Sequence, residues 1–80
     1  MKVHLWLWGY LRQYIPGNAV QEQSIQDVGE GTTIRGLLDR LTIPEWAVEE
    51  IYLNDVRVKD HEILKDGDYL RIYPRIFAGG

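Results

Sequence analysis

Alternation of side chains predicts the two main strands of this chain. Residues 3–8 alternate with a period of two, which is typical of a strand buried on one face. The inward set is aliphatic and the outward set is aromatic: Val3, Leu5 and Leu7 against His4, Trp6 and Trp8. Residues 69–73 repeat the pattern with Leu70 and Ile72 inward, and Pro74 ends this strand because proline cannot donate to a ladder. Both strands are expected near the middle of a sheet.

A hairpin and a less regular strand are predicted between them. Two short apolar segments flank Asn54-Asp55, residues that tolerate the positive φ of a two-residue turn. Residues 21–28 are predicted as a strand with a bulge or an irregular register, because Ile25 and Val28 do not share a face under strict alternation.

One amphipathic helix of about ten residues follows the second strand. Its apolar stripe has the spacing i, i+3, i+4, i+7, at Ile34, Leu37, Leu38 and Leu41. Thr32 or Thr33 caps the first turn, and Gly36 is interpreted as a close approach between helix and sheet. Thr42 and Glu45 match a capping box, which predicts a second, short helical turn.

The order strand, strand, helix, short helix, hairpin, strand predicts an α+β fold. One main helix covering one face of a mixed, four- to five-stranded sheet is the economical way to bury these stripes. This is the β-grasp, or ubiquitin-like, arrangement. It divides the chain into a β-grasp domain at residues 1–73 and a flexible C-terminal tail at residues 74–80.

Composition narrows the function classes. The chain has 80 residues, which is one small domain and leaves little room for a deep enzyme pocket. It has no cysteine, which excludes thiolate metal sites and a cysteine nucleophile. A net charge of −3 argues against a nucleic-acid partner, and no apolar run is long enough for a membrane span. We therefore expect a cytoplasmic protein with no metal site, no catalytic residues and no bound cofactor.

The side of the sheet away from the helix is the first candidate site. Alternation places Trp, Tyr and Arg residues there, the types that dominate binding hot spots: Trp6, Trp8, Tyr52, Arg57, Tyr69, Arg71 and Tyr73. We interpret this set, called the open face below, as a partner surface. The alternative is that loops cover some of these residues, or that small sheets simply favour aromatic side chains.

The C-terminal tail is the second candidate site. After Tyr73 it consists of Pro74, Arg75, Ile76, Phe77, Ala78, Gly79 and Gly80. Fully extended, its seven residues reach roughly 20 Å or more at about 3.3 Å per residue. The two final glycines leave no side chain beside the terminal carboxylate, so the tail can enter a narrow channel on another protein. The alternative is an ordinary frayed end.

In the order of its motifs the sequence resembles the MoaD/ThiS family of sulfur carriers, over essentially the whole chain. The matching pieces are Trp8-Gly9-Tyr10-Leu11-Arg12, Glu30-Gly31-Thr32-Thr33-Ile34 with Leu37-Leu38, Leu53-Asn54-Asp55, Leu64-Lys65-Asp66-Gly67-Asp68, and Tyr73-Pro74 through Ala78-Gly79-Gly80. Its length and the Tyr73-Pro74 pair favour the small subunit of molybdopterin synthase within that family. Arg75 is a departure, since a second proline is common at that position.

The resemblance implies chemistry at Gly80. A ubiquitin-activating-type adenylyltransferase would use ATP to adenylate the carboxylate of Gly80, and sulfur transfer would give a thiocarboxylate. Gly79 would leave no side chain beside the carboxylate of Gly80, while residues 73–78 and the open face would dock on partners. The final acceptor would be the large catalytic subunit of molybdopterin synthase or another sulfur-accepting enzyme. The chain itself would be a non-catalytic carrier.

Three alternatives stay open at this point. The chain could carry sulfur for thiamin or for another pathway. It could be a protein modifier that forms isopeptide bonds through Gly80. It could also be a non-covalent β-grasp adaptor that uses the open face alone.

Overall fold

The structure is a computed structural model that describes residues 1–15 and 23–76. Its strands are β1 (Lys2–Leu7), β2 (Gln23–Asp27), β3 (Val48–Leu53), β4 (Val56–Val58) and β5 (Tyr69–Pro74). Within these ranges the α-helix is α1 (Ile34–Arg40), and 3₁₀ helices span Gly9–Tyr14 and Glu45–Ala47. Each of these elements was predicted except the first 3₁₀ helix.

The five strands form one mixed sheet in the order β2-β1-β5-β3-β4. β1 and β5 pair in parallel, whereas β1–β2, β3–β5 and β3–β4 are antiparallel. The two strands with the strictest alternation are therefore interior strands, as predicted. Together with α1, this order confirms the α+β, β-grasp prediction.

The core lies between the sheet and α1. The inward residues of β1 and β5 are fully buried (0% exposed), and the apolar stripe of α1 packs against them. This core consists mainly of leucine and isoleucine: Val3, Leu5, Leu7, Leu11, Ile34, Leu37, Leu38, Ile43, Leu64, Leu70 and Ile72. β2 contributes little, because Ile25 lies on the outer side and is 60% exposed, while Val28 is buried just after the strand. The two residues face opposite sides, as residues three apart on a regular strand do. The β1–β2 register is unbroken, so the predicted bulge or irregular register is wrong.

α1 begins at the predicted cap and is shorter than predicted. The Thr33 hydroxyl accepts from the Gly36 N–H at 3.0 Å, which satisfies one free donor of the first turn. The interpretation of Gly36 as a close helix–sheet approach is wrong. Gly36 is exposed, and a Cβ there would meet only the side chains of Thr33 and Thr32, at 3.4 and 3.7 Å.

The capping box at Thr42 is also wrong. Thr42 has φ 63°, and its N–H donates to the Asp39 carbonyl while the Ile43 N–H donates to the Leu38 carbonyl. These two bonds are the Schellman motif, which ends a helix and does not begin one. The second 3₁₀ helix starts after Pro44 without a side-chain cap.

The β3–β4 hairpin is tied to the loop that precedes β5. Asn54 and Asp55 have φ values of 52° and 69°, as the predicted two-residue turn requires. The Asn54 side chain donates to the Asp68 carboxylate at 2.9 Å and accepts from the Tyr69 N–H at 2.9 Å. Asp68 is 8% exposed and also accepts from the Lys65 N–H. Two of the quoted sequence motifs thus meet in one hydrogen-bonded junction.

Candidate functional site

Strand pairing aligns the residues of the open face across neighbouring strands. Trp6 on β1 pairs with Arg71 on β5, Arg71 pairs with Tyr52 on β3, and Tyr52 pairs with Arg57 on β4. Residues that pair directly across strands project to the same side of a sheet. Four of the seven predicted residues therefore form one row across the sheet, and Trp8, Tyr69 and Tyr73 lie beside that row.

The aromatic rings of the open face contact one another in sequence. Trp8 stacks on Tyr73 with centroids 5.5 Å apart and an interplanar angle of 8°. Trp6 lies 5.9 Å from both Trp8 and Tyr69. Tyr52 meets the Tyr73 ring edge-on at 5.6 Å. Such pairs contribute roughly 0.5–1.5 kcal/mol each beyond their buried area, so this face is ordered before any partner arrives.

His4 extends this ring series to the edge of β2. Its imidazole stacks on Tyr69 at 5.3 Å and 12°, and it pairs with Ile25 across the β1–β2 ladder. Neither residue was among the predicted partner residues. The signal for His4 was present, since it alternates with Val3 and Leu5, whereas Ile25 could be placed only once the strand register was known.

Arg71 provides a fixed cation in the middle of the open face. Its guanidinium carbon lies 5.2 Å from the Tyr52 ring centroid and 6.0 Å from that of Tyr73. One Nη donates to the Asp55 carboxylate at 2.9 Å and the other to the Tyr73 hydroxyl at 3.2 Å. Stacking and hydrogen bonding together hold the planar group, which is a favourable arrangement for contacting a carboxylate or carbonyl of a partner.

A shallow cavity of about 470 Å³ opens on this face. Its walls are Trp6, Trp8, Asn54, Asp55, Tyr69 and Arg71. The Nε1 atoms of both tryptophans are buried and have no hydrogen-bond partner among the described residues.

Arg57 differs from the other predicted residues of the open face. It lies on the edge strand β4, its side chain is 64% exposed, and its ion pair is with Glu50 at 3.9 Å. It shares the face but lies at the border of the ring series. A second cavity of about 630 Å³ begins beside it and extends to Arg75, with balanced acidic and basic walls.

The structure describes the tail as far as Ile76. Pro74 is the last residue of β5, Arg75 follows it, and Ile76 is 83% exposed. The predicted tail residues Phe77, Ala78, Gly79 and Gly80 lie outside the described residues. β5 therefore carries Tyr69, Arg71 and Tyr73 of the open face and leads directly into the tail.

Metal and membrane sites are not found in the described residues. No group of three or more His, Asp or Glu side chains in residues 1–15 and 23–76 is arranged to hold a metal ion. None of the helices in the same ranges has the length and apolar character of a membrane span. His61, the second histidine, lies exposed in the loop before β5.

Comparisons with solved structures identify the same fold elsewhere. SAMP1 from Haloferax volcanii superposes with a TM-score of 0.72 at 18% identity, covering 100% of both chains. A Pyrococcus furiosus protein assigned as molybdopterin converting factor subunit 1 gives 0.68 at 22% identity, covering 94% of this chain and 98% of that one. A chain of the complex between subunits 1 and 2 of the Helicobacter pylori molybdopterin-converting factor gives 0.62 at 22% identity, covering 99% and 100%.

Comparison with family profiles and curated sequences completes the assignment. No curated protein matches the sequence. The family described as Mut7-C ubiquitin matches residues 1–78. This match and the shared fold confirm the resemblance inferred from the sequence motifs. The chain belongs to the Mut7-C ubiquitin family, and it shares its fold with SAMP1 and with subunit 1 of molybdopterin converting factor.

Proposed function

We propose that this chain is a sulfur carrier whose Gly80 carboxylate is activated, converted to a thiocarboxylate and consumed in molybdopterin synthesis. The main support is the fold it shares, over nearly its whole length, with a chain of the molybdopterin-converting factor complex of subunits 1 and 2. The proposal requires that Gly80 carry a free carboxylate in the active protein, whether by translation or by processing.

The chemistry takes place at the carbonyl carbon of Gly80. A carboxylate oxygen attacks the α-phosphorus of ATP, an acyl adenylate forms, and pyrophosphate leaves. Hydrosulfide then attacks the carbonyl carbon and AMP leaves with the electron pair of the C–O bond, giving a thiocarboxylate. ATP binds to the activating adenylyltransferase, and the carrier needs no cysteine, in keeping with a sequence that has none.

The open face would dock first on the adenylyltransferase and then on the large, sulfur-accepting subunit. It combines tryptophan, tyrosine and arginine, and its rings are already packed against one another. A preordered surface loses little side-chain entropy on binding. Residues 73–78 would accompany the carboxylate into the partner, with Gly79 beside Gly80 at the narrowest point.

Intact-mass spectrometry tests this proposal. The protein, prepared to end at Gly80, is incubated with the ubiquitin-activating-type enzyme of the same genome, Mg-ATP and sulfide. We expect a mass gain equal to the exchange of one oxygen for one sulfur, absent in a variant that lacks Gly80 and in a variant extended by one residue. Attachment to lysines of other proteins would instead indicate a modifier, and no change in mass with any activating enzyme would refute the proposal.

A second candidate, a non-covalent β-grasp binding module, is favoured by one observation. The family match covers residues 1–78 and so does not include Gly79 and Gly80. In that case the open face alone would carry function. Partner capture by a chain ending at residue 76, abolished by Trp6→Ala and unaffected by ATP, would support this candidate over the carrier.

A further inference from the structure

The backbone that leaves β5 is held by contacts beyond the end of the sheet. We call Pro74 and Arg75 the tail root. The Arg75 N–H donates to the Ala47 carbonyl at 2.8 Å, and the Tyr10 hydroxyl donates to the Arg75 carbonyl at 2.6 Å. Both backbone polar groups of Arg75 are thus bonded to the body of the domain. The next residue, Ile76, is 83% exposed, so the attachment ends abruptly after Arg75.

Tyr10 reaches the tail root because of the glycine before it. Gly9 has φ +56°, a conformation that side chains disfavour, and its Cα faces the Pro74 ring. A Cβ on Gly9 would lie only 3.0 Å from Pro74 Cγ. The absence of a side chain lets the first 3₁₀ helix begin against β5, and this places the Tyr10 ring over the departing backbone. Gly9 and Tyr10 belong to a sequence motif that the open face does not explain.

An ion pair supports the same arrangement from β3. Arg75 Nε lies 3.2 Å from Glu49 Oε1, with both side chains about half exposed. An exposed pair of this kind contributes little stability on its own, about 0–1 kcal/mol. Its effect is on orientation, since it draws the Arg75 side chain toward β3 while its backbone is held by Tyr10 and Ala47.

We propose that Tyr10 is a positioning residue: its hydroxyl fixes the Arg75 backbone, so that residues 76–80 leave the domain from one defined point and direction. This inference rests on the proposed carrier function. Five residues beyond Arg75 reach about 17 Å at about 3.3 Å per residue. Release of the root would move the last attached residue back from Arg75 to Tyr73, so the chain between the attachment and Gly80 would grow from about five residues to about seven. For a flexible chain, this increase lowers the effective concentration of its end at a fixed target by about 40%. Loss of direction adds to this reduction.

The first test is structural and needs no partner. In Tyr10→Phe, hydrogen exchange at the Arg75 amide, followed by NMR, should become about fivefold faster, because one neutral hydrogen bond that holds the carbonyl of the same residue is lost. Tyr14→Phe is the matched control on the same 3₁₀ helix, since its hydroxyl has no hydrogen bond to the described residues. Exchange at Arg75 that is unchanged in Tyr10→Phe would overturn the inference.

The second test separates positioning from simple destabilisation. With the activating enzyme and Mg-ATP, pyrophosphate release should show a kcat about two- to fivefold lower for Tyr10→Phe at unchanged KM, because the open face still docks. A merely destabilised carrier would instead have a raised KM, from its smaller folded fraction, and a normal kcat. Failure of the wild type to be activated would count against the carrier function. Turnover of the wild type with an equal kcat for Tyr10→Phe would overturn only the role of Tyr10.

Discussion

Asn54 offers a sharp test of how the hairpin and the loop before β5 are held together. Its backbone has φ 52°, and its side chain bonds to the Asp68 carboxylate and the Tyr69 N–H, both at 2.9 Å. Asn54→Ala removes both bonds and forces a Cβ-bearing residue without a polar side chain into the left-handed region. Asn54→Gly removes the same two bonds but accepts the backbone conformation without strain.

The magnitudes follow from these two differences. The bond to the largely buried Asp68 carboxylate is valued at about 1.5–3 kcal/mol and the bond to the Tyr69 N–H at about 1 kcal/mol. The left-handed backbone adds about 1–2 kcal/mol for alanine. Because Asn54 is itself exposed, we take the lower ends of these ranges. We expect Asn54→Gly to lower the free energy of unfolding by about 2–3 kcal/mol and Asn54→Ala by about 1 kcal/mol more.

Urea denaturation followed by tryptophan fluorescence measures both variants. A domain of this size has a total stability of roughly 5 kcal/mol, so Asn54→Ala should be close to unfolding at 25 °C, while Asn54→Gly should retain a measurable transition. Asp55→Gly is the matched control. This substitution removes the strain of a positive φ at the second turn residue and loses only an exposed ion pair to Arg71. The net change in the free energy of unfolding should therefore be small. Equal stability of the alanine and glycine variants would refute the assigned turn geometry.

Four further predictions concern other parts of the fold. Thr42→Gly should stabilise the protein by about 0.5–1 kcal/mol, because a β-branched residue stands at the left-handed position of the Schellman motif, and a higher urea midpoint would show it. Thr33→Ala should lower the free energy of unfolding, measured by urea denaturation, by about 1 kcal/mol through loss of the helix cap. Thr33→Ser keeps the capping hydroxyl and should leave this free energy unchanged. The hydrogen bond from Lys2 lowers the pKa of Asp27 below 3.8, so its stabilising contribution should be complete at neutral pH and be lost as the pH falls through that lowered pKa; Asp27→Asn should remove this pH dependence from the urea midpoint. Trp6→Ala should lower affinity for the activating enzyme, measured by calorimetry, by more than it lowers the free energy of unfolding.

The sheet could be predicted because its information is local. Alternation over five or six residues fixes which side of β1 and β5 is buried, and a pair of residues that tolerate positive φ fixes the hairpin. The membership of the open face follows from the same alternation. For this reason the seven predicted residues were found together on one side once β1, β5, β3 and β4 were aligned.

The features that the sequence did not predict depend on strand register, or on two local motifs that compete for the same residue. Thr42 and Glu45 have the spacing of a capping box, but Pro44 takes the position before the second 3₁₀ helix and Thr42 is used by the end of α1. The bond from Asn54 to Asp68 joins residues 14 apart, and that from Tyr10 to Arg75 joins residues 65 apart. Pairings of this kind appear only when strand order is known.

The parallel pairing of β1 with β5 links the two candidate sites. Because these strands run in the same direction, the residues that follow β1 emerge beside the end of β5, where the Trp8 N–H donates to the Ile72 carbonyl and Tyr10 covers Arg75. β5 itself carries Arg71 and Tyr73 of the open face only a few residues before the tail root. A partner that binds the open face therefore holds the same rigid strand that sets the tail's point of departure. Under the proposed function, docking on the open face would therefore bear on the strand that leads into the tail, and we expect partner affinity and the reactivity of Gly80 to respond to different residues along that strand.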